Sequence, residues 1–162
     1  MTDKIKLLIV DDEVDFLNSI AKRLELRDFD VTTSSVGADA IKIARTEKFD
    51  LALLDLKMPG MDGKEVLKIL KSEHQFIEVI MLTGHGSMES AIECTKLGAF
   101  GYLPKPYEFD KLTETLKEAY EERLKKKFKN DNKKMEEFER IAQGNSPIAI
   151  LREMRKLDDD IK

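Results

Sequence analysis

Apolar positions in the first 110 residues come in short runs separated by stretches of helical spacing. Ile5-Lys6-Leu7-Leu8-Ile9-Val10 is apolar at nearly every position, which predicts a strand buried on both faces. Val14, Leu17, Ile20, Ala21 and Leu24 follow at helical spacing behind acidic residues, and predict a helix with that set turned inward. Phe29–Ser34 predicts a second strand and Gly37–Glu47 a helix with Ala40, Ile41 and Ala44 inward. Leu51-Ala52-Leu53-Leu54 predicts a third, buried strand, and Pro59-Gly60 a turn. Lys64–Ser72 predicts a helix, Val79–Leu82 a fourth strand, Ser87–Leu97 a helix closed by Gly98, and Phe100–Leu103 a fifth strand. Five strand–helix units in succession predict an α/β fold, a doubly wound parallel sheet with helices on both faces.

From Tyr107 the pattern changes. Residues 110–143 contain neither Gly nor Pro, and Leu112, Leu116, Ala119, Tyr120, Leu124, Phe128, Met135, Phe138 and Ile141 recur at spacings of three, four and seven. One long amphipathic helix of ~33 residues, spanning ~50 Å, satisfies that pattern, as do two helices hinged at Asn130-Asp131-Asn132. Gly144 reads as the stop. Ser146-Pro147 reads as the N-cap and first position of a last helix, with Ile148, Leu151, Met154 and Leu157 on one side. The exposed stripe needs cover. A parallel coiled coil with a second copy, giving a homodimer, is the expectation, because no Gly or Pro interrupts residues 130–132, although Asp131 falls where the register wants an apolar residue; the alternative is a chain hinged at 130–132 or at Gly144-Asn145 and packed on itself.

Composition narrows the class. Of 162 residues 41% are apolar, enough for one packed core, while 37% are charged against ~25% in a typical globular chain, so part of the chain is heavily solvated. The single cysteine, Cys94, excludes an internal disulfide framework, fits a reducing compartment, and in mid-helix reads as a small core filler. No apolar run approaches the ~18 residues that would span a bilayer, and the first residues lack signal-peptide organisation. A soluble, cytoplasmic chain with no membrane contact is expected. The net charge is −4, with the acidic excess in residues 1–110 and a small basic excess beyond. The basic run Arg123, Lys125, Lys126, Lys127, Lys129, Lys133 and Lys134 is interleaved with acids, which reads as a solvated helix face, and too little chain follows Gly144 for a helix-turn-helix. Nucleic acid is therefore not expected as a partner.

Chemistry-bearing residues collect where an open parallel sheet binds its ligands, beyond the carboxyl ends of the strands. Asp11, Asp12 and Glu13 follow the first strand, Asp55 closes the third, Thr83 and Gly84 follow the fourth and Lys105-Pro106 the fifth. Adjacent carboxylates repel and are costly to bury alone. A hard divalent cation resolves this, and Mg²⁺ prefers one or two carboxylates with waters and phosphate oxygens. Beside such an ion a lone carboxylate can attack phosphorus, while a lysine and a hydroxyl receive the phosphoryl oxygens.

These residues resemble the receiver domain of two-component response regulators, over about residues 4–122. The resemblance rests on Ile9-Val10-Asp11-Asp12-Glu13, on Leu53 through Gly63, on Met81-Leu82-Thr83-Gly84 and on Gly101-Tyr102-Leu103-Pro104-Lys105-Pro106. It implies a flavodoxin-like five-stranded sheet in the order 2-1-3-4-5, residues 1–122 as receiver and 123–162 as a helical extension. It also implies that Asp55 accepts a phosphoryl group from a sensor histidine kinase or phosphotransfer protein. Asp12 would ligate Mg²⁺ directly and Asp11 through water, with Asp55 and the backbone carbonyl of Lys57 completing the protein ligands. Thr83 would bond a phosphoryl oxygen, Tyr102 would move inward behind it, and Lys105, beside a Lys105–Pro106 peptide that is usually cis in the family, would pair with the phosphoryl group. The chain would then be a signalling switch, with self-catalysed phosphotransfer and autodephosphorylation only, acting on a downstream protein target.

Blander readings exist for each fragment. Asp11-Asp12-Glu13 alone could be an N-cap cluster, Tyr102 plain packing, and His85 a loop residue ill suited to Mg²⁺. An aspartyl-phosphate hydrolase of the haloacid dehalogenase type wants Asp-x-Asp at the first strand, which adjacent Asp11 and Asp12 do not supply. The alternative within the family is the amino-terminal receiver of a transcription activator with an AAA+ ATPase domain, which Gly144-Asn145-Ser146-Pro147 faintly resembles at its start. Against it, Asp158-Asp159-Asp160-Ile161-Lys162 reads more like a natural polar terminus than a cut made inside a domain.

Overall fold

In the computed structural model, five parallel strands, β1 (Ile5–Val10), β2 (Phe29–Ser34), β3 (Leu51–Leu54), β4 (Glu78–Thr83) and β5 (Gly101–Pro104), pair in the order β2-β1-β3-β4-β5. The described residues are 4–84, 87–144 and 146–159, without the side chain of Asp159; the readings placed on His85, Asn145 and Asp160-Ile161-Lys162 lie outside them. Helices α1 (Val14–Glu25), α2 (Gly37–Thr46), α3 (Gly63–Glu73), α4 (Met88–Lys96) and α5 (Phe109–Lys127) alternate with the strands, and α6 (Asn132–Ala142) and α7 (Pro147–Asp159) follow.

Alternation along the strands divides the core between the two faces of the sheet. Leu7, Ile9, Leu51, Leu53, Ile80 and Leu82 meet Leu17, Ile20 and Leu24 of α1 and Leu112 and Leu116 of α5. Leu8, Val10, Ala52, Leu54, Val79 and Met81 meet α2, α3 and α4 through Ala40, Ile41, Val66, Leu67, Leu70 and Cys94. Gly60 (φ 78°) and Gly98 (φ 104°) occupy left-handed positions where the expected turn and helix stop fall. The inward set expected for α1 is wrong at its start. Val14 is 52% exposed, and Phe16 packs against the core in its stead. Helix α1 begins at the sheet's carboxyl edge, so its first residue has no strand beneath it.

The continuous tail helix and parallel coiled coil are not what the chain adopts. Helix α5 ends at Lys127, and Asp131, which spoiled the heptad register, caps α6 by accepting a hydrogen bond from the Lys134 amide. Helix α7 then returns against α5 and α6. Ile150, Leu151, Met154 and Leu157 cover Tyr120, Leu124, Phe128 and Phe138, all in the core that α1 and α5 share. The stripe is consumed within one chain, a solution that loses no translational freedom to a second subunit. Ile150 replaces Ile148 on the inner face.

Asp158, in the polar terminal run, is buried, 2% exposed. Its carboxylate accepts hydrogen bonds from the Tyr120 hydroxyl (2.5 Å), Arg123 Nε (3.1 Å) and the Lys127 ammonium. Arg123 also pairs with Asp50 at 3.2 Å and donates to the Phe76 carbonyl at 2.9 Å. These bonds tie α7 to the amino-terminal edge of the sheet, the edge opposite the expected chemistry. No helix among the described residues is long and apolar enough to cross a membrane.

Candidate functional site

The ladder runs one residue beyond the ends of β1, β3 and β5 at the carboxyl edge, and this fixes the side chains that follow them. The Asp11 amide donates to Ser34 O (3.1 Å), the Asp55 amide to Val10 O (2.9 Å) and the Lys105 amide to Thr83 O (2.9 Å). Carboxylate oxygens of Asp11, Asp12 and Asp55 lie within 4.8 Å of one another. Asp11, Asp55 and Thr83 are buried, and Asp12 is exposed at the mouth.

Two charges of opposite sign dominate the site. The Lys105 ammonium sits 2.6 Å from Asp11 Oδ2 and 3.4 Å from Glu13 Oε1. Burial pulls that ammonium down, but the bond to Asp11 and the charges of Asp55 and Glu13 outweigh it and hold it above the ordinary lysine range. Asp55 has a hydrogen bond from the Thr83 side chain, yet its Oδ1 is buried with no hydrogen-bond partner among the described residues. Burial pushes the Asp55 carboxyl above the usual carboxylate range; Asp11 and Asp12 push the same way, while Thr83 and Lys105 pull back. A buried, unsatisfied carboxylate oxygen beside two further carboxylates suits a hard cation and an incoming electrophile.

Asp11, Asp12, Asp55, Thr83 and Lys105 all fall at this edge. Thr83 is the last residue of β4 beside Asp55. Tyr102, in β5, packs against the α2–α4 face with its hydroxyl buried, and the Ser87 backbone lies beside it. Lys57 is exposed and follows Asp55 by two residues. The Lys105–Pro106 peptide is cis.

Sequence reasoning missed four residues. Glu13 was grouped with the acids, but its carboxylate faces Lys105 rather than capping α1. Phe16 lies under the Lys105 ammonium, 3.9 Å from ring centroid to nitrogen, and Tyr107 meets Phe16 edge-on. Gly63 opens α3 directly against the backbone of Asp55, where an added Cβ would lie 2.0 Å from the Asp55 carbonyl oxygen. The acidic and glycine positions were visible in the motif; the aromatic pair carries no local signal.

A five-stranded 2-1-3-4-5 sheet with three carboxylates, a threonine and a lysine at its carboxyl edge defines a receiver, and the model of the response regulator receiver domain matches residues 7–117. The chain belongs to that family, and its receiver is that of a two-component response regulator. It is 39% identical over 116 residues to the transcriptional regulatory protein ZraR of Salmonella typhimurium, covering 72% of this chain and 26% of that protein. It is 34% identical over 148 residues to the putative response regulator NtrX-like of Rickettsia bellii, covering 90% of this chain and 31% of that one. The chain thus spans about a quarter to a third of the length of these curated relatives. Among solved structures, a CheY-like response regulator receiver domain protein from Methanospirillum hungatei superposes with a TM-score of 0.73 at 32% identity, over 76% of this chain and 98% of that one.

Proposed function

We propose that Asp55 accepts a phosphoryl group from a histidine of a sensor kinase or phosphotransfer protein, and that the phosphorylated receiver switches a protein–protein surface. The observation that carries this reading is the Asp55 carboxylate itself, buried, with Oδ1 unpartnered, between two carboxylates and a lysine. Oδ1 forms the new bond to phosphorus as the phosphorus–nitrogen bond breaks, and the imidazole keeps that electron pair and takes up a proton from water. Asp11, Asp12, Asp55 and the Lys57 backbone carbonyl would hold Mg²⁺. The ion, when bound, neutralises charge that the carboxylates and phosphoryl oxygens would otherwise set against one another. Lys105 supplies a point charge to one phosphoryl oxygen and Thr83 a hydroxyl to another. With Thr83 drawn toward the phosphoryl group, Tyr102 turns into the space behind it and alters the surface of α4, β5 and the start of α5.

Residues 1–122 act as the receiver and 123–162 as its extension, with α6 and α7 packed against α5, in the cytoplasm, where a kinase would meet it. An acyl phosphate with magnesium should add one phosphoryl group to the wild type, by intact mass, and none to Asp55→Asn. Addition to the Asn variant at the wild-type rate overturns the assignment. Thr83→Ala should accept phosphate but leave the amide shifts of residues 88–96 at their resting values.

A second reading is the receiver part of a longer transcription activator with an AAA+ ATPase domain. The match to the NtrX-like protein favours it, because that match extends well past the receiver into the tail. The length of the native reading frame decides it.

A further inference from the structure

Lys105 is held from three directions. Asp11 Oδ2 lies at 2.6 Å, Glu13 Oε1 at 3.4 Å, and the Phe16 ring centroid at 3.9 Å from the ammonium nitrogen. The Phe16 ring is itself set by Tyr107, whose ring meets it edge-on, 6.2 Å between centroids and 87° between planes. The Lys105 side chain is 15% exposed. A lysine on four flexible methylenes reaches many positions, and an ammonium is strongly hydrated. Two carboxylates alone would leave it free to swing to the exposed one, Glu13, and out to water. The negative face of an aromatic ring closes that route and attracts the cation where water is excluded.

We propose that Phe16, braced by Tyr107, is a positioning residue that holds the Lys105 ammonium on Asp11, at the edge of the site, before a phosphoryl group arrives at Asp55. The proposal rests on the phosphoacceptor reading of Asp55 and adds residues from α1 and from the loop before α5. Its consequence is kinetic. A cation already placed at the edge of the site needs no reorganisation when negative charge builds on the phosphoryl oxygens, whereas a lysine released to solvent must be recaptured. An aliphatic side chain at position 16 would fill the same space but would present no face to the cation.

The test is a double-mutant cycle on the intact chain. Phe16→Leu should slow phosphorylation of Asp55 by acetyl phosphate, read by intact mass, about two- to fivefold, and Phe16→Tyr should restore the wild-type rate. In a Lys105→Met background, Phe16→Leu should bring no further slowing, an outcome a general packing role does not produce. NMR of the resting protein supplies an arm that needs no phosphorylation. The ε-protons of Lys105 should be shifted upfield by the ring in the wild type and return to ordinary positions in Phe16→Leu. Equal Lys105 shifts in the two proteins, an unchanged rate in Phe16→Leu, or equal slowing with and without Lys105 each overturn the positioning role. A wild type that shows the ring shift but takes no phosphoryl group on Asp55 overturns the phosphoacceptor reading and leaves the seat standing.

Discussion

The Tyr120 hydroxyl donates a hydrogen bond to the Asp158 carboxylate across 2.5 Å, joining α5 of the receiver to the last turn of α7. Both side chains are buried, and the Tyr120 phenol is pushed well above its ordinary range by burial and by the charges of Asp50 and Asp158. Arg123, Lys127 and, at 3.7 Å, Arg155 also pair with Asp158, so the tail is fastened by ions as well as by Leu124, Phe128 and Phe138.

Removing Asp158 takes its carboxylate from Lys127 and Arg123 and leaves the buried Tyr120 hydroxyl without its acceptor, while Arg123 keeps Asp50 and the Phe76 carbonyl. Asp158→Ala should lower the unfolding free energy by about 3 kcal/mol, measured in urea. Burial pushes the Asp158 carboxyl up, but Arg123, Lys127 and Tyr120 outweigh it and hold it below the ordinary 3.8. The folded value lies below the unfolded one, so this stabilisation is complete above about pH 4 and is lost as pH falls through the folded value. The gap between wild type and Asp158→Ala should narrow in acid; a gap independent of pH contradicts the latch.

Asp55 has the opposite sign. Its carboxyl is raised, first by burial and then by Asp11 and Asp12. Ionised Asp55 thus weakens the fold: its contribution is most favourable below the unfolded value, near pH 4, and is lost as pH rises through the folded value. Asp55→Asn should stabilise the protein at pH 7 on the order of 1 kcal/mol, with little gain below pH 4. Matched urea midpoints at pH 7 would count against the strain.

Magnesium should relieve the same repulsion. At a hundred times its Kd it should add about 2.7 kcal/mol to stability by mass action, seen as a higher Tm that a chelator reverses. Asp12→Ala should lose most of that gain. An equal Tm rise in wild type and variant would place the ion elsewhere.

Gly63 and Gly101 form a matched pair of backbone tests. A methyl at Gly63 would meet the Asp55 carbonyl oxygen at 2.0 Å, while one at Gly101 would meet nothing closer than Thr115 Cγ2, at 3.7 Å. Gly63→Ala should cost about 3 kcal/mol or more and slow Asp55 phosphorylation; Gly101→Ala should stay within about 0.5 kcal/mol. Equal urea midpoints for the two variants would show that the close approach of α3 to Asp55 is not required.

Much of this was legible in the sequence because it depends on local order. Apolar runs five times repeated, each followed by helical spacing, force buried parallel strands joined by crossover helices, and the residue just past each strand end is then at the carboxyl edge. Asp11, Asp55, Thr83 and Lys105 could be placed for that reason alone, as could the turn at Gly60 and the helix stop at Gly98. What only the tertiary structure decided involves residues whose role depends on a partner distant in the chain. Phe16 and Tyr107 are 91 positions apart and look like ordinary apolar residues until they meet beneath Lys105. Asp158 looks like part of a polar end until Tyr120 and Arg123 reach it. The tail's stripe specified that it must be covered but not by what, since an amphipathic face is satisfied equally by a second chain or by its own return; Asp131 as a cap and Asp158 as an anchor settled it in favour of the return.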